Sequence, residues 1–165
     1  MKIKLKFSGV MQAWGVDEPW TSYRHTNIRP TPNAIYGIIE CAMGLAHAGE
    51  YKEDDLIRGK LRENTIIEIP NNDGFPDILT DLQTIHGVFD TESASVPCAD
   101  GTKKKSFPMI NKEYIMNGRY EAYVSGDKDT IENIINYLKH PVYPYYLGRA
   151  CCIPSESVYA GIVEE

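Results

Sequence analysis

The chain has 165 residues, with 17 Lys and Arg against 23 Asp and Glu, and a net charge of −6. With 42% apolar and 24% charged residues it has the make-up of a globular protein, and its length suits one domain rather than a multidomain enzyme. The acidic total excludes a uniformly basic nucleic-acid binder, although a sum hides how charge is distributed.

Residues 2–7 alternate Lys2, Lys4 and Lys6 with Ile3, Leu5 and Phe7, the pattern of a strand with one buried face. This opening has no long apolar region, so it is not expected to be a signal peptide. A loop rich in glycine, proline and aromatics runs to Pro30. Thr31 and Pro32 then supply an N-cap and a first helical residue. Ile35, Ile38, Ile39, Ala42, Met43 and Ala46 continue as one apolar helical stripe. The apolar stretch 34–46 is broken by Glu40 and falls short of the ~20 residues of a membrane span. Gly37 and Gly44 lie on a common side of this helix. Each costs ~1 kcal/mol there, which points to close approach by a sheet or a ligand.

Residues 54–62 read as a short helix, 65–69 as a strand, 71–74 as a turn and 78–86 as a strand. Residues 89–105 show no periodicity and read as a long hairpin or a loop. A strand follows at 119–124. Asp127 caps a second helix carrying Ile131, Ile134, Ile135 and Leu138, which Pro141 ends, and 158–163 form a last strand. The predicted fold is α+β, a single ferredoxin-like, RRM-like β-α-β-β-α-β domain over 1–165 with an insertion before the third core strand. Order alone says little about activity, because this fold hosts many.

The charge is uneven. Residues 1–40 sum to +2, 41–100 to −8 and 101–165 to 0, and 101–119 alone carry +4. Such a layout can meet a polyanion on one face and a basic partner on another. Cys41, Cys98, Cys151 and Cys152 show no C-x-x-C spacing and are expected to be reduced thiols in a cytoplasm. No spacing of Cys and His matches a metal site, and no phosphate-binding glycine motif occurs, so neither a metal nor a cofactor is expected. His25, beside Arg24, is the best candidate for a catalytic base, while His47 and His140 suit helix ends. Binding of single-stranded RNA has more support: it needs cations for phosphates and aromatic rings for bases. Trp14, Trp20 and Tyr23 lie near Arg24 and Arg29, just before a helix N-terminus. Tyr143, Tyr145 and Tyr146 precede Gly148 and Arg149.

Two stretches carry more than composition. Phe7-Ser8-Gly9-Val10-Met11-Gln12-Ala13-Trp14-Gly15 resembles the opening signature of the CasD subunit of the type I-E CRISPR Cascade complex, in the RAMP superfamily. Tyr146-Leu147-Gly148-Arg149-Ala150-Cys151-Cys152-Ile153-Pro154 resembles that family's tyrosine-leucine-glycine-arginine segment. Arg29-Pro30-Thr31-Pro32, followed by Ile35-Tyr36-Gly37-Ile38, resembles its first-helix entry.

The resemblance implies a ferredoxin-like domain with a long inserted β-hairpin thumb, placed at approximately 88–112. It also implies a non-catalytic subunit that caps the 5′ handle of CRISPR RNA, beside a Cascade backbone subunit and the large subunit. No membrane and no small-molecule substrate are expected. A type I-C relative is a metal-independent endoribonuclease, which is the alternative reading. Carried over by position, the RNA-binding residues are Gly9, Met11, Gln12, Trp14, Lys103, Lys104, Lys105, Lys112, Tyr146 and Arg149, with no catalytic residue, and Arg24 and Arg29 join them as the cations of the first loop. Ala150 stands where many relatives have a second arginine, and Asn33-Ala34 replaces their serine-glycine.

Overall fold

In β1 (Lys2–Ser8), Ile3, Leu5 and Phe7 are fully buried and Lys2, Lys4 and Lys6 face the other way, since successive strand residues alternate sides. The structure is a computed structural model and describes residues 1–17, 22–47, 49–71, 74–84, 96–97, 102–104 and 109–163. Trp20, His86, Cys98 and Lys105 lie outside these residues, as does most of the segment 89–105.

Two short strands follow, β2 (Met11–Gln12) and β3 (Tyr23–Arg24). Helix α1 (Pro32–Met43) begins as the sequence predicts, with Thr31 Oγ1 accepting from Ala34 N at 3.2 Å. It ends sooner than the apolar stripe implies. Gly44 adopts a φ of 78° and donates its N–H to Cys41 O at 3.0 Å, so it caps the helix instead of lying on its face. The expected glycine pair is therefore not a pair: Gly37 alone lies within the helix, with open space where a Cβ would be.

Helix α2 (Lys52–Glu63) extends beyond the predicted 54–62 at both ends. It is tied to α1 through Glu40, which accepts from Arg58 Nε at 3.0 Å and from Arg62 Nη2 at 2.9 Å. Arg58 and Glu40 are largely covered, whereas Arg62 is more open and contributes less. Glu40→Gln is expected to lower stability by about 2 kcal/mol in urea denaturation, chiefly because Arg58 loses its charged acceptor.

The remaining elements are β4 (Thr65–Glu68), β5 (Ile78–Thr84), β6 (Val96–Pro97), β7 (Lys103–Lys104), β8 (Met109–Met116), β9 (Arg119–Gly126), α3 (Lys128–Lys139) and β10 (Tyr159–Val163). Asp127 caps α3 by accepting from Thr130 N at 2.9 Å.

The architecture is α+β, with mixed sheets and, among the described residues, three helices. One sheet has the order β10-β1-β9-β4 with every neighbour antiparallel. Ile35, Ile39 and Ala42 of α1 and Ile131, Ile134 and Leu138 of α3 share one core with Ile3, Leu5, Ala122 and Val124 of this sheet. The second sheet is built around β8, which the sequence analysis did not assign to an element. β5 pairs antiparallel along one edge of β8, from Ile78↔Ile115 to Thr84↔Met109. The other edge is shared by β2, antiparallel, and β3, parallel. β5, predicted to reach residue 86, is described to Thr84 and belongs to this arm, not to the first sheet. β6 and β7 pair with each other in the segment between β5 and β8.

Candidate nucleic-acid interface

The two signature stretches, far apart in the chain, form one joint. Ala13 N donates to Leu147 O at 3.0 Å, and Ser155 N donates to Ser8 O at 2.8 Å. Gly148 has a φ of 102°, and a Cβ added there would lie 1.6 Å from Ala13 O. Only glycine fits such a backbone this close to a carbonyl. At Gly9 an added Cβ would meet Leu147 Cδ1 at 3.0 Å and Ile153 O at 3.1 Å. The glycines therefore admit the protein's own backbone.

The joint is extended by Arg149 and Glu113. Arg149 Nη1 donates to Glu113 O at 2.8 Å and Nη2 to Arg24 O at 3.3 Å, while its guanidinium lies 4.8 Å from the Tyr114 ring centre. Burial, first of all, pushes the Tyr114 phenol up from its ordinary value. The Glu113 carboxylate accepts from Thr26 N at 3.2 Å and from Tyr23 Oη at 3.3 Å, and His25 Nδ1 lies 3.2 Å from its Oε2. The Tyr23 and His25 rings sit 4.4 Å apart. Glu113 belongs to β8, so one residue links the arm to the loop between β2 and α1. The sequence analysis missed it, because a glutamate in an unpatterned run carries no local signal.

Between this joint and α1 lies an open groove of about 910 Å³, lined among others by Gly15, His25, Asn33, Gly37, Tyr146 and Arg149. Its lining includes the first turn of α1, where Pro32 has no N–H and Ala34 N is bonded to Thr31 Oγ1, so the Asn33 N–H is the one left to an anion. Tyr146 is half-buried there, and the space over Gly37 is open.

The predicted site residues separate into distinct groups. Tyr146 and Arg149 line the groove, and the backbone of Arg24 holds Arg149. Trp14 is a core residue, 1% exposed, packed edge-on against Phe7 at 5.7 Å, so its ring offers no free face to a base. Gln12 is fully buried and donates Nε2 to Phe7 O at 3.2 Å and to Gly118 O at 2.7 Å. Met11 pairs with Met116 and packs against the core. Gly9 is buried in the joint. Trp14 still forms part of the groove wall, whereas Gln12, Met11 and Gly9 do not line it. Arg29 is exposed and bonds Asn71 Oδ1, away from the joint. Lys112 stands opposite Asp81 in the second sheet, and Lys103 and Lys104 form β7, earlier in the chain.

Among the described residues no three His, Cys, Asp or Glu side chains gather as a metal site, and no helix is long and apolar enough to cross a membrane. Cys151 is exposed, with Sγ 3.7 Å from Tyr114 Oη. Cys152 is fully buried, and burial pushes its thiol from 9.0 up to about 11. Its folded value is raised, so the stability it contributes is full below the ordinary value and is lost as pH climbs toward about 11. Melting temperatures followed through that window should fall, and the part due to this thiol should vanish in Cys152→Ala.

The sequence model of the CRISPR-associated protein (Cas_Cas5) family matches residues 2–165. No curated protein sequence matches the chain. Among solved structures, a chain of a CRISPR RNA-guided surveillance complex is similar with a TM-score of 0.74 and 22% identity, over 96% of this chain and 62% of that one. The crystal structure of a Cas protein is similar with a TM-score of 0.61 and 17% identity, over 100% of this chain and 66% of the other. At these identities the likeness is one of fold, and the chain spans less than two thirds of each matched chain.

Proposed function

This chain belongs to the CRISPR-associated protein (Cas_Cas5) family, and from that premise we propose that it is a non-catalytic RNA-binding subunit of a Cascade-type complex, holding the 5′ handle of CRISPR RNA. The observation that carries this reading is the groove beside the α1 N-terminus, walled by Tyr146 and Arg149. It joins an aromatic ring and a cation, which is the chemistry that single-stranded RNA requires. The antiparallel order β10-β1-β9-β4, with α1 and α3 on one face, supports a ferredoxin-like core in a single domain. The β5–β8 pair supports an inserted hairpin thumb whose stem starts earlier than residue 88. Lys103, Lys104, Lys105 and Lys112 then extend the RNA contact along that arm. The acidic middle of the chain is left for the backbone and large subunits in the cytoplasm.

A direct test compares RNA bearing the repeat-derived 5′ handle with the same RNA scrambled in that region. Preference for the intact handle, lost in Tyr146→Ala by roughly 5- to 100-fold as one stacked base would give, supports the reading. Equal binding of the two RNAs overturns it. The Lys103–Lys105 triple alanine should weaken both RNAs alike, because lysines on phosphates read no sequence.

A second reading has one observation in its favour. The contact of His25 Nδ1 with Glu113 holds a proton on that nitrogen and leaves Nε2 as the basic one in the groove. Such a pair is suited to metal-independent cleavage of repeat RNA. Incubation with repeat RNA in EDTA decides: discrete cleavage that disappears in His25→Ala makes the protein an endoribonuclease, and intact RNA leaves the cap.

A further inference from the structure

The first sheet has one face covered by α1 and α3 and one that the described residues leave without a helix. On the uncovered face, β1 presents Lys2, Lys4 and Lys6 in a row, opposite Ser125, Tyr123 and Glu121 of β9, and Arg119 stands opposite Ser8 at the end. Same-side residues of a strand recur about every 6.7 Å, so these cations form a straight, regular ladder. Tyr123 lies in its middle, with Lys2 Nζ 5.2 Å and Lys4 Nζ 6.0 Å from the ring centre. The ladder runs into a cleft of about 520 Å³ lined by Lys6, Ser8, Arg119 and Glu156.

Carboxylates oppose part of this charge. Lys2 holds Glu68 at 2.6 Å and Lys4 holds Glu121 at 2.7 Å, all with substantial solvent exposure. Among the described residues Lys6 makes no ion pair. Four cations against Glu68, Glu121 and Glu156 leave this face and its cleft at +1, in a chain whose total is −6. Exposed ion pairs are weak and exchange readily for a stronger anion.

We propose that the lysine ladder of β1, with Arg119 and Tyr123, is a second nucleic-acid surface that takes the sugar–phosphate backbone of a single strand, apart from the groove. The row of cations recurring along one strand suits a linear polyanion of regular charge spacing. The ring of Tyr123 offers a stacking surface once the lysines move to phosphates. The lysines and Arg119 themselves read no sequence, since cations on phosphates carry no base information.

The test uses the full chain with short labelled oligothymidylate and oligouridylate, which separate DNA from RNA as the source of the backbone, and with a polyglutamate peptide. The Lys2→Gln, Lys4→Gln, Lys6→Gln variant should weaken binding of at least one oligonucleotide by tenfold or more and flatten its salt dependence by about 2 in slope. The Glu68→Gln, Glu121→Gln variant frees the ladder and should tighten the same binding, which keeps the proposal testable if the lysine variant fails to fold. Tyr146→Ala, which lies in the groove, should leave the response to the ladder variants unchanged, so the two surfaces fail or succeed separately. Unchanged affinity and slope in a folded lysine variant, or in the carboxylate variant, overturns the proposal. So does a loss confined to polyglutamate, which would make this a site for an acidic protein.

Discussion

Replacing Gly148 by alanine is expected to destabilise the protein by on the order of 3–5 kcal/mol, a size reserved for backbone strain and core disruption. The added methyl would lie 1.6 Å from Ala13 O, and the φ of 102° is itself unfavourable for any residue with a side chain. Neither partner can yield, because Ala13 N is bonded to Leu147 O and the neighbouring Trp14 is buried against Phe7. The melting temperature should drop by roughly 6–20 °C in a domain of this size. Gly59→Ala is the control: it sits within α2 with nothing near its Cβ position and should stabilise by about 1 kcal/mol. An equal response at the two glycines would show that the joint is not what requires Gly148.

Arg149→Ala should lower stability by on the order of 2–3 kcal/mol, because two carbonyl oxygens lose a charged donor and Tyr114 loses the guanidinium over its ring. Arg149→Lys should restore little of this, since an ammonium cannot bridge Glu113 O and Arg24 O while stacking. A residue that acted only by charge toward RNA would behave otherwise: lysine would rescue it, and stability would not move. Urea denaturation of the two variants, followed by RNA binding where both are folded, separates support of the groove wall from direct contact.

Where a single physical rule governs an element, its sequence reads clearly. The alternation in β1, the Thr31-Pro32 entry to α1 and the Asp127 cap of α3 each express one such rule, and each is found in place. β8 was illegible because Met109 to Met116 has no alternation. Flanked by strands on both edges and half-covered on both faces, it has no solvent side to keep polar. The site was legible as a neighbourhood and not as roles. Glycine, tryptophan and arginine marked the two segments that meet, but the same residue types serve a nucleic acid and a tight backbone junction equally well. Trp14, Gln12 and Gly9 went to the junction. Glu113 draws its importance from Thr26, Tyr23 and His25, all distant in sequence, and no local pattern could have revealed it.

The sheet order also governs when the protein can fold. β1 precedes both of its partners, β9 and β10, by more than 100 residues of chain. At ~5–20 residues per second of synthesis, Ile3, Leu5 and Phe7 wait roughly 5–20 s for a neighbouring strand. The groove waits longer, since Leu147 must arrive before Ala13 can dock on it. A nascent chain therefore exposes β1 without a groove until Leu147 has been made, and capture of RNA in the groove must follow that point. Chaperone occupancy on nascent chains should begin when β1 leaves the exit tunnel and end only after β10 emerges.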